Sequence, residues 1–145
     1  MGLVGLVIVT HGGCGECLLG AASGIVGPVP ASTSVSVAMG ENFDDIVTRV
    51  GRACDQVDSG AGILILADVH GSSPFRACLA MLDGTRPVEI VCGVNLPMLI
   101  KLATCDRGGQ RPAEVAELVK EVGKRSIRLA SELTGKVPIP PENCR

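Results

Sequence analysis

The sequence predicts an α/β fold: a doubly wound, mainly parallel sheet of four strands in the order 2-1-3-4, with helices on both faces. Two observations carry this expectation. Four apolar, β-branched runs, Leu3 to Thr10, Ser34 to Met39, Gly62 to Asp68 and Val88 to Val94, alternate with stretches of helical spacing. The core must also be aliphatic, because 46% of the 145 residues are hydrophobic but only two are Phe and none is Trp or Tyr. That is the composition of strands buried on both faces under helices. Right-handed crossovers then leave few arrangements, of which 2-1-3-4 is the commonest small doubly wound order.

The first run is the longest and is bounded by Gly12-Gly13, so it reads as a buried strand ending in a tight turn with His11 at its carboxyl end. Helical spacing follows over Cys14 to Val26. After the second strand a helix is expected over Asn42 to Val57, with Asn42 as cap and Asp44 and Asp45 in its first turn. The third strand ends at Asp68, and Ser73 precedes Pro74 at the first position of a helix over Pro74 to Leu82. Beyond the fourth strand the pattern gives a short helix over Pro97 to Ala103. A long closing helix near Pro112 to Leu133 has Glu114 and Glu117 early and Lys124, Arg125 and Arg128 late. Met98 and Leu99 read as core, and Asn95 as a side chain that steadies its own loop. The tail Val137-Pro138-Ile139-Pro140-Pro141 cannot be a central strand, since proline donates nothing to the ladder; it is expected at an edge or as a disordered end. One domain over residues 1–145, with a proline-rich tail from about 136, is the economical organisation.

Composition narrows the function classes. A formal charge of −2 with scattered Lys and Arg offers no footprint for nucleic acid or an acidic membrane, and aromatic stacking on bases would be hard to supply. No apolar run approaches the roughly 20 residues that span a bilayer, and the N-terminal stretch lacks a basic region and a cleavage site. Seven cysteines, several inside apolar runs, fit a reducing cytoplasm better than a disulfide framework.

His11 is the leading functional candidate, one of only two histidines and placed at a strand's carboxyl end, where ligands bind in open α/β sheets. In the order 2-1-3-4, strands one and three are neighbours and their connections run to opposite faces, so His11 and Asp68 should meet at the switch point. A carboxylate accepting one ring N–H would leave the other nitrogen's lone pair facing outward and would stabilise the ring once it becomes cationic. Gly71-Ser72-Ser73-Pro74 opens a helix whose amides and hydroxyls favour a nearby oxyanion. Together these make a nucleophile beside an anion cradle. A hydrolase with Ser72 or Ser73 as nucleophile is the rival assembly, but it lacks the Gly-x-Ser-x-Gly elbow. No P-loop is present, so a phosphoryl donor is more plausibly another protein than a nucleotide bound in that way. Cys14-Gly15-Glu16-Cys17 is a C-x-x-C at a helix start, a place where redox or metal chemistry is conceivable. Zinc needs more ligands than this segment supplies, so helix-packing cysteines are the simpler expectation. His70 reads as a solvated loop residue near the mouth of the site, with a second acceptor or a phosphate contact as the alternatives.

The segments Ile8-Val9-Thr10-His11-Gly12, Ala67-Asp68-Val69-His70-Gly71-Ser72-Ser73-Pro74-Phe75 and Gly93-Val94-Asn95-Leu96-Pro97-Met98-Leu99 resemble the mannose-family enzyme IIA domain of the phosphoenolpyruvate:sugar phosphotransferase system. The resemblance implies that His11 accepts a phosphoryl group on Nε2 from the phosphocarrier HPr and passes it to a histidine of an enzyme IIB partner, with the Asp68 carboxylate on Nδ1. It further implies that Thr10, Ser73 and the Gly93 to Pro97 loop surround the site, and that the protein is a homodimer in which the chain end adds an exchanged strand. With the helix-opening cradle, the expected phosphate-binding residues are Thr10, Gly71, Ser72 and Ser73, and no metal or other cofactor is expected. The second motif departs from the family's usual Gly-Gly-Ser/Thr-Pro-Phe-Asn at Ser72 and Arg76, and position 70, commonly apolar or aromatic, is a histidine. A regulatory relative that is phosphorylated but acts through partner binding, with no transporter downstream, is the alternative function.

Overall fold

The computed structural model describes residues 2–137. A parallel sheet in the order β2-β1-β3-β4 forms its centre, as the alternation of runs predicts. The elements run β1 (Gly5–His11), α1 (Cys14–Val26), β2 (Ser32–Val37), α2 (Phe43–Val57), β3 (Ile63–Ala67), α3 (Ser73–Leu79), β4 (Val88–Cys92), α4 (Leu96–Thr104), α5 (Pro112–Arg125) and α6 (Ala130–Thr134).

Residues Leu6 to Val9 of β1 and Ile63 to Ala67 of β3 are fully buried, because both strands are central and covered on both faces. Their side chains alternate between two cores. Leu6, Ile8, Leu64 and Leu66 pack with Ala22 of α1, Met98, Leu99 and Leu102 of α4, and Val115 and Val119 of α5. Val7, Val9, Ile63 and Ile65 pack with Val35 and Val37 of β2, Ile46 and Val50 of α2, and Ala77 and Cys78 of α3. Register pairs Val9 with Val35 on one side and with Ala67 on the other, so β1, β2 and β3 end close together at the carboxyl edge of the sheet.

The structure keeps one expected helix boundary and redraws two. Asn42 does cap α2, its Oδ1 accepting from the amides of Asp44 and Asp45 at 2.9 and 3.3 Å. The cap of α3 is Ser72 rather than Ser73: its Oγ accepts from the Phe75 amide, and Ser73 and Pro74 lie inside the first turn. The expected closing helix to Leu133 stops at Arg125 and resumes only as the short α6. The apolar spacing continues there, but Ile127, Leu129 and Leu133 are all exposed, and a helix without a face to bury gains too little to continue. Ser126 adds a competing hydrogen bond, its Oγ donating to the Val122 carbonyl at 2.6 Å. The expected edge segment from Pro138 onward, and Cys144, lie outside the described residues.

One fold-determining residue carries no sequence signal. Arg107, in the loop after α4, is fully buried, and its guanidinium donates to the carbonyls of Leu102, Val4 and Pro30. It thereby ties the start of β1 to the α1–β2 and α4–α5 connections. Burial pulls its pKa below the ordinary guanidinium value, and the carbonyl dipoles stand in for the lost water.

Candidate functional site

His11 is the last residue of β1 and Asp68 follows the last residue of β3 directly, so the parallel pairing of those strands sets the two side by side. Asp68 Oδ2 accepts both the His11 backbone amide and His11 Nδ1, each at 2.8 Å, and Oδ1 accepts the Val69 amide at 2.8 Å. Partial burial disfavours its charged form, but the hydrogen bonds from His11 and Val69 outweigh that effect and hold the carboxyl below its ordinary value of 3.8. An ionised carboxylate only accepts, so Nδ1 carries the proton and Nε2 keeps its lone pair. The His11 side chain is 55% exposed against 16% for Asp68. Among the described residues no hydrogen bond engages Nε2. The ring thus has one nitrogen committed and one free.

His11 lines a cavity of about 450 Å³ together with Gly12, Val37 to Glu41, Ile46, Ser73 and Pro74. Strand order explains the lining: β2 and β3 flank β1, so the loops leaving all three strands close around it. Ser73 reaches this cavity from the first turn of α3. Ser72 does not line it, because its hydroxyl donates to the Val69 carbonyl at 2.7 Å and caps α3. Gly71 makes the preceding turn with φ of 78°, a conformation that glycine adopts without strain, and it too lies off the cavity lining. Thr10 is fully buried behind His11. Its Oγ1 accepts the Gly15 amide at 2.8 Å and sits 3.4 Å from the Gly12 carbonyl. Thr10 and Ser72 therefore hold the loops in place, while His11 and Ser73 line the cavity and Asp68 holds the His11 ring.

The β2–α2 loop is the part of the site that sequence reasoning missed. Met39 is fully exposed at the rim, and Glu41 turns back to accept the Ala38 amide at 3.0 Å and Arg49 Nη1 at 2.5 Å. Arg49 also donates to the Ser36 carbonyl at 2.9 Å, stapling the loop to β2. The Ala38 amide and the Arg49 guanidinium lower the Glu41 pKa, so the carboxylate is ionised and its charge is matched by Arg49 before any anion arrives. The order 2-1-3-4 could have pointed to this loop, since it leaves the other neighbour of β1.

The remaining candidates fall into place around this centre. His70 is exposed in the β3–α3 loop, its ring 5.1 Å from that of Phe75, in keeping with a solvated residue by the mouth. Asn95 caps α4, accepting from the Met98 amide at 3.2 Å and donating to the Gly123 carbonyl at 3.3 Å; Met98 and Leu99 are core. Cys14 and Cys17 are not helix-packing residues as expected. The buried face of α1 runs through Gly15, Leu18, Leu19 and Ala22, which turns both thiols outward. Among the described residues no group of three or more His, Cys, Asp or Glu lies together as a metal site would need, and no helix is long and apolar enough to cross a membrane.

Comparison with known proteins agrees with this fold. The EIIA-man family, described as the PTS system fructose IIA component, matches residues 5–122. The PTS system mannose-specific EIIAB component of Escherichia coli (strain K12) is 27% identical over 125 residues, 86% of this chain but only 39% of that protein's length. The PTS system fructose-specific EIIA component of Bacillus subtilis (strain 168) is 22% identical over 135 residues, 93% of this chain and 92% of its own. The fold is shared with the mannose/sorbose-specific IIA subunit from Enterococcus faecalis, with a TM-score of 0.78 at 23% identity over 96% of this chain and 98% of that one. It is also shared with component EIIA from Streptococcus agalactiae, with a TM-score of 0.79 at 20% identity over 90% and 99%. With the family match spanning both the histidine strand and the carboxylate loop, the chain belongs to the mannose-type IIA components of the phosphotransferase system.

Proposed function

We propose that this protein carries a phosphoryl group on Nε2 of His11, accepting it from phosphorylated HPr and passing it to a histidine of an enzyme IIB unit during sugar uptake. The observation that supports this most is the 2.8 Å contact between Asp68 and His11 Nδ1, in a ring that lines the cavity and whose Nε2 has no hydrogen bond among the described residues. In the forward step the Nε2 lone pair attacks phosphorus, the bond from phosphorus to the donor's histidine nitrogen breaks, and that nitrogen keeps the electron pair. The proton on Nδ1 stays between the ring and Asp68, so the carboxylate balances the positive charge that develops on the imidazole during attack. Transfer to the IIB histidine is the same displacement in reverse. Ser73 at the cavity wall is the side-chain donor for phosphoryl oxygens, and Thr10, Gly71 and Ser72 shape the two loops that hold His11 and Ser73. No cofactor takes part. Little covalent work is asked of the protein beyond the nucleophile, and positioning supplies most of the rate.

The reading places the protein in the cytoplasm, where such donors work, and as a homodimer. The β4 edge, Val88 to Cys92, is only half-buried along its whole length, which leaves a ladder for a second copy to cover. Reconstitution tests the function. Phosphoenolpyruvate, enzyme I and HPr should label the protein once, with an acid-labile bond, and a cognate IIB should discharge it. No labelling of wild-type protein, or label retained in His11→Ala, would overturn the proposal. A monomer in sedimentation at micromolar concentration would overturn the dimer.

A further inference from the structure

The C-x-x-C beside the phosphorylation site is unused by this chemistry, and its surroundings set it apart from the other cysteines. Cys54 and Cys78 are buried, and desolvation pushes their thiols up to about 11 and about 12, which keeps them protonated and inert. Cys14 and Cys17 are both exposed, three residues apart in the first turn of α1, with Cys14 only three residues from His11. We propose that Cys14 and Cys17 form a reversible dithiol–disulfide couple whose closure slows phosphoryl acceptance at His11. The proposal rests on the reading of His11 as acceptor.

Geometry supplies both halves. Residues i and i+3 of a helix have Cβ atoms about 5 to 6 Å apart, whereas a disulfide requires about 3.5 to 4.5 Å. Closure must therefore draw one cysteine in. Cys17 is fixed, because the next turn, through Leu18, Leu19 and Ala22, is packed on the sheet. So is Gly15, whose amide is held by Thr10 and whose missing side chain would come 2.9 Å from Ile8 Cγ2. Cys14 is the movable partner: α1 has no side-chain cap, and no neighbouring atom lies within 4 Å of where a Cβ on Gly12 or Gly13 would sit. Gly12 lines the His11 cavity, and its amide donates to the Val37 carbonyl at 2.9 Å. Drawing Cys14 toward Cys17 thus pulls on the segment that forms the floor of the site, while Asp68 holds His11 itself in place.

The oxidant is a low-molecular-weight disulfide of the glutathione class. One cysteine thiolate attacks it, giving a mixed disulfide and releasing one small thiol. The second thiolate then displaces the other small thiol, so the protein loses two electrons and two protons and the small disulfide gains them.

The test uses the whole protein, oxidised with glutathione disulfide and freed of it by gel filtration before reduced enzyme I, HPr and phosphoenolpyruvate are added. Peptide mapping should find an intramolecular Cys14–Cys17 link. The initial labelling rate should fall at least five-fold and return with dithiothreitol. The double variant Cys14→Ser/Cys17→Ser should label at the same rate with or without oxidant. Thiols that stay free or stop as glutathione adducts overturn the couple, and a closed disulfide with a rate within two-fold of the reduced protein overturns the gating. If reduced protein takes no label, the carrier reading fails and the gating with it, but the peptide map still decides whether the pair closes.

Discussion

The two ends of β1 carry opposite solutions to one problem, a titratable side chain at a strand terminus. At the amino end Arg107 is fully buried and its donors are consumed by the carbonyls of Val4, Pro30 and Leu102. At the carboxyl end His11 is more than half exposed and only Nδ1 is engaged, by Asp68. A buried cation with each of its three nitrogens bonded to a main-chain carbonyl can only hold the structure together. A ring with one nitrogen held and, among the described residues, no hydrogen bond on the other is left free to react. The difference lies in what is left over after local hydrogen bonding is complete, and each end makes its own testable demand.

The largest expected effect is kinetic. Asp68→Ala removes the acceptor that fixes the tautomer and balances charge on the ring, so phosphoryl transfer should slow by roughly 10² to 10⁴-fold, the range for losing an acid–base or orienting group. HPr binding, measured separately, should change much less. Unimpaired transfer in Asp68→Ala would make the two ends of β1 alike, both merely structural.

Next comes a loss of stability at the other end. Arg107→Met removes three hydrogen bonds and leaves buried carbonyls unsatisfied, which should destabilise the fold by roughly 3 to 5 kcal/mol in urea denaturation. The fraction that stays folded should still accept phosphate on His11. A stable but inactive Arg107→Met protein would mean that the amino end also serves the chemistry.

A smaller effect depends on pH. The folded-state pKa of Asp68 lies below its ordinary 3.8, so the unfolded chain binds the proton more readily. Its contribution to stability is fully present above that ordinary value and fades as pH falls through the lower folded one. The difference in stability between wild type and Asp68→Asn should therefore be constant near neutrality and shrink below pH 3.8. A gap that widens on acidification would contradict the hydrogen-bonding pattern around this carboxylate.

The smallest expected effect is close to nil. Under reducing conditions Cys14→Ser/Cys17→Ser should transfer phosphate within a few-fold of wild type, and the purified protein should carry no stoichiometric zinc, since two ligands on one helical turn are too few for a closed site. One equivalent of bound zinc by atomic absorption would break the contrast between these thiols and the reacting histidine.

Much of this was legible in the sequence because it depends on side-chain identity. The apolar runs set the strand order, the order set His11 beside Asp68, and Asn42 and Asn95 were visible as loop and helix-start residues. What stayed hidden depends on the main chain. Arg107 is matched by carbonyls, which every residue carries, so no pattern of types reveals it. Ala38 to Glu41 form a cavity wall whose residue types carry no common signal, and only strand adjacency places them there. Thr10 and Ser72 carry hydroxyls suited to a phosphate, yet local amides and carbonyls had already claimed them. The apolar spacing through Leu129 and Leu133 is real, but periodicity does not say whether anything lies opposite.

The central claim is that Nε2 of His11 is the reacting atom because Asp68 holds the proton on Nδ1. Nuclear magnetic resonance of protein labelled with ¹⁵N-histidine and phosphorylated through HPr reads this directly, by phosphorus–nitrogen coupling. One phosphorus per chain coupled to Nε2 of His11, absent from His11→Ala and retained in His70→Ala, is the expected result. Phosphorus coupled to Nδ1 of His11, or to either nitrogen of His70, would contradict it.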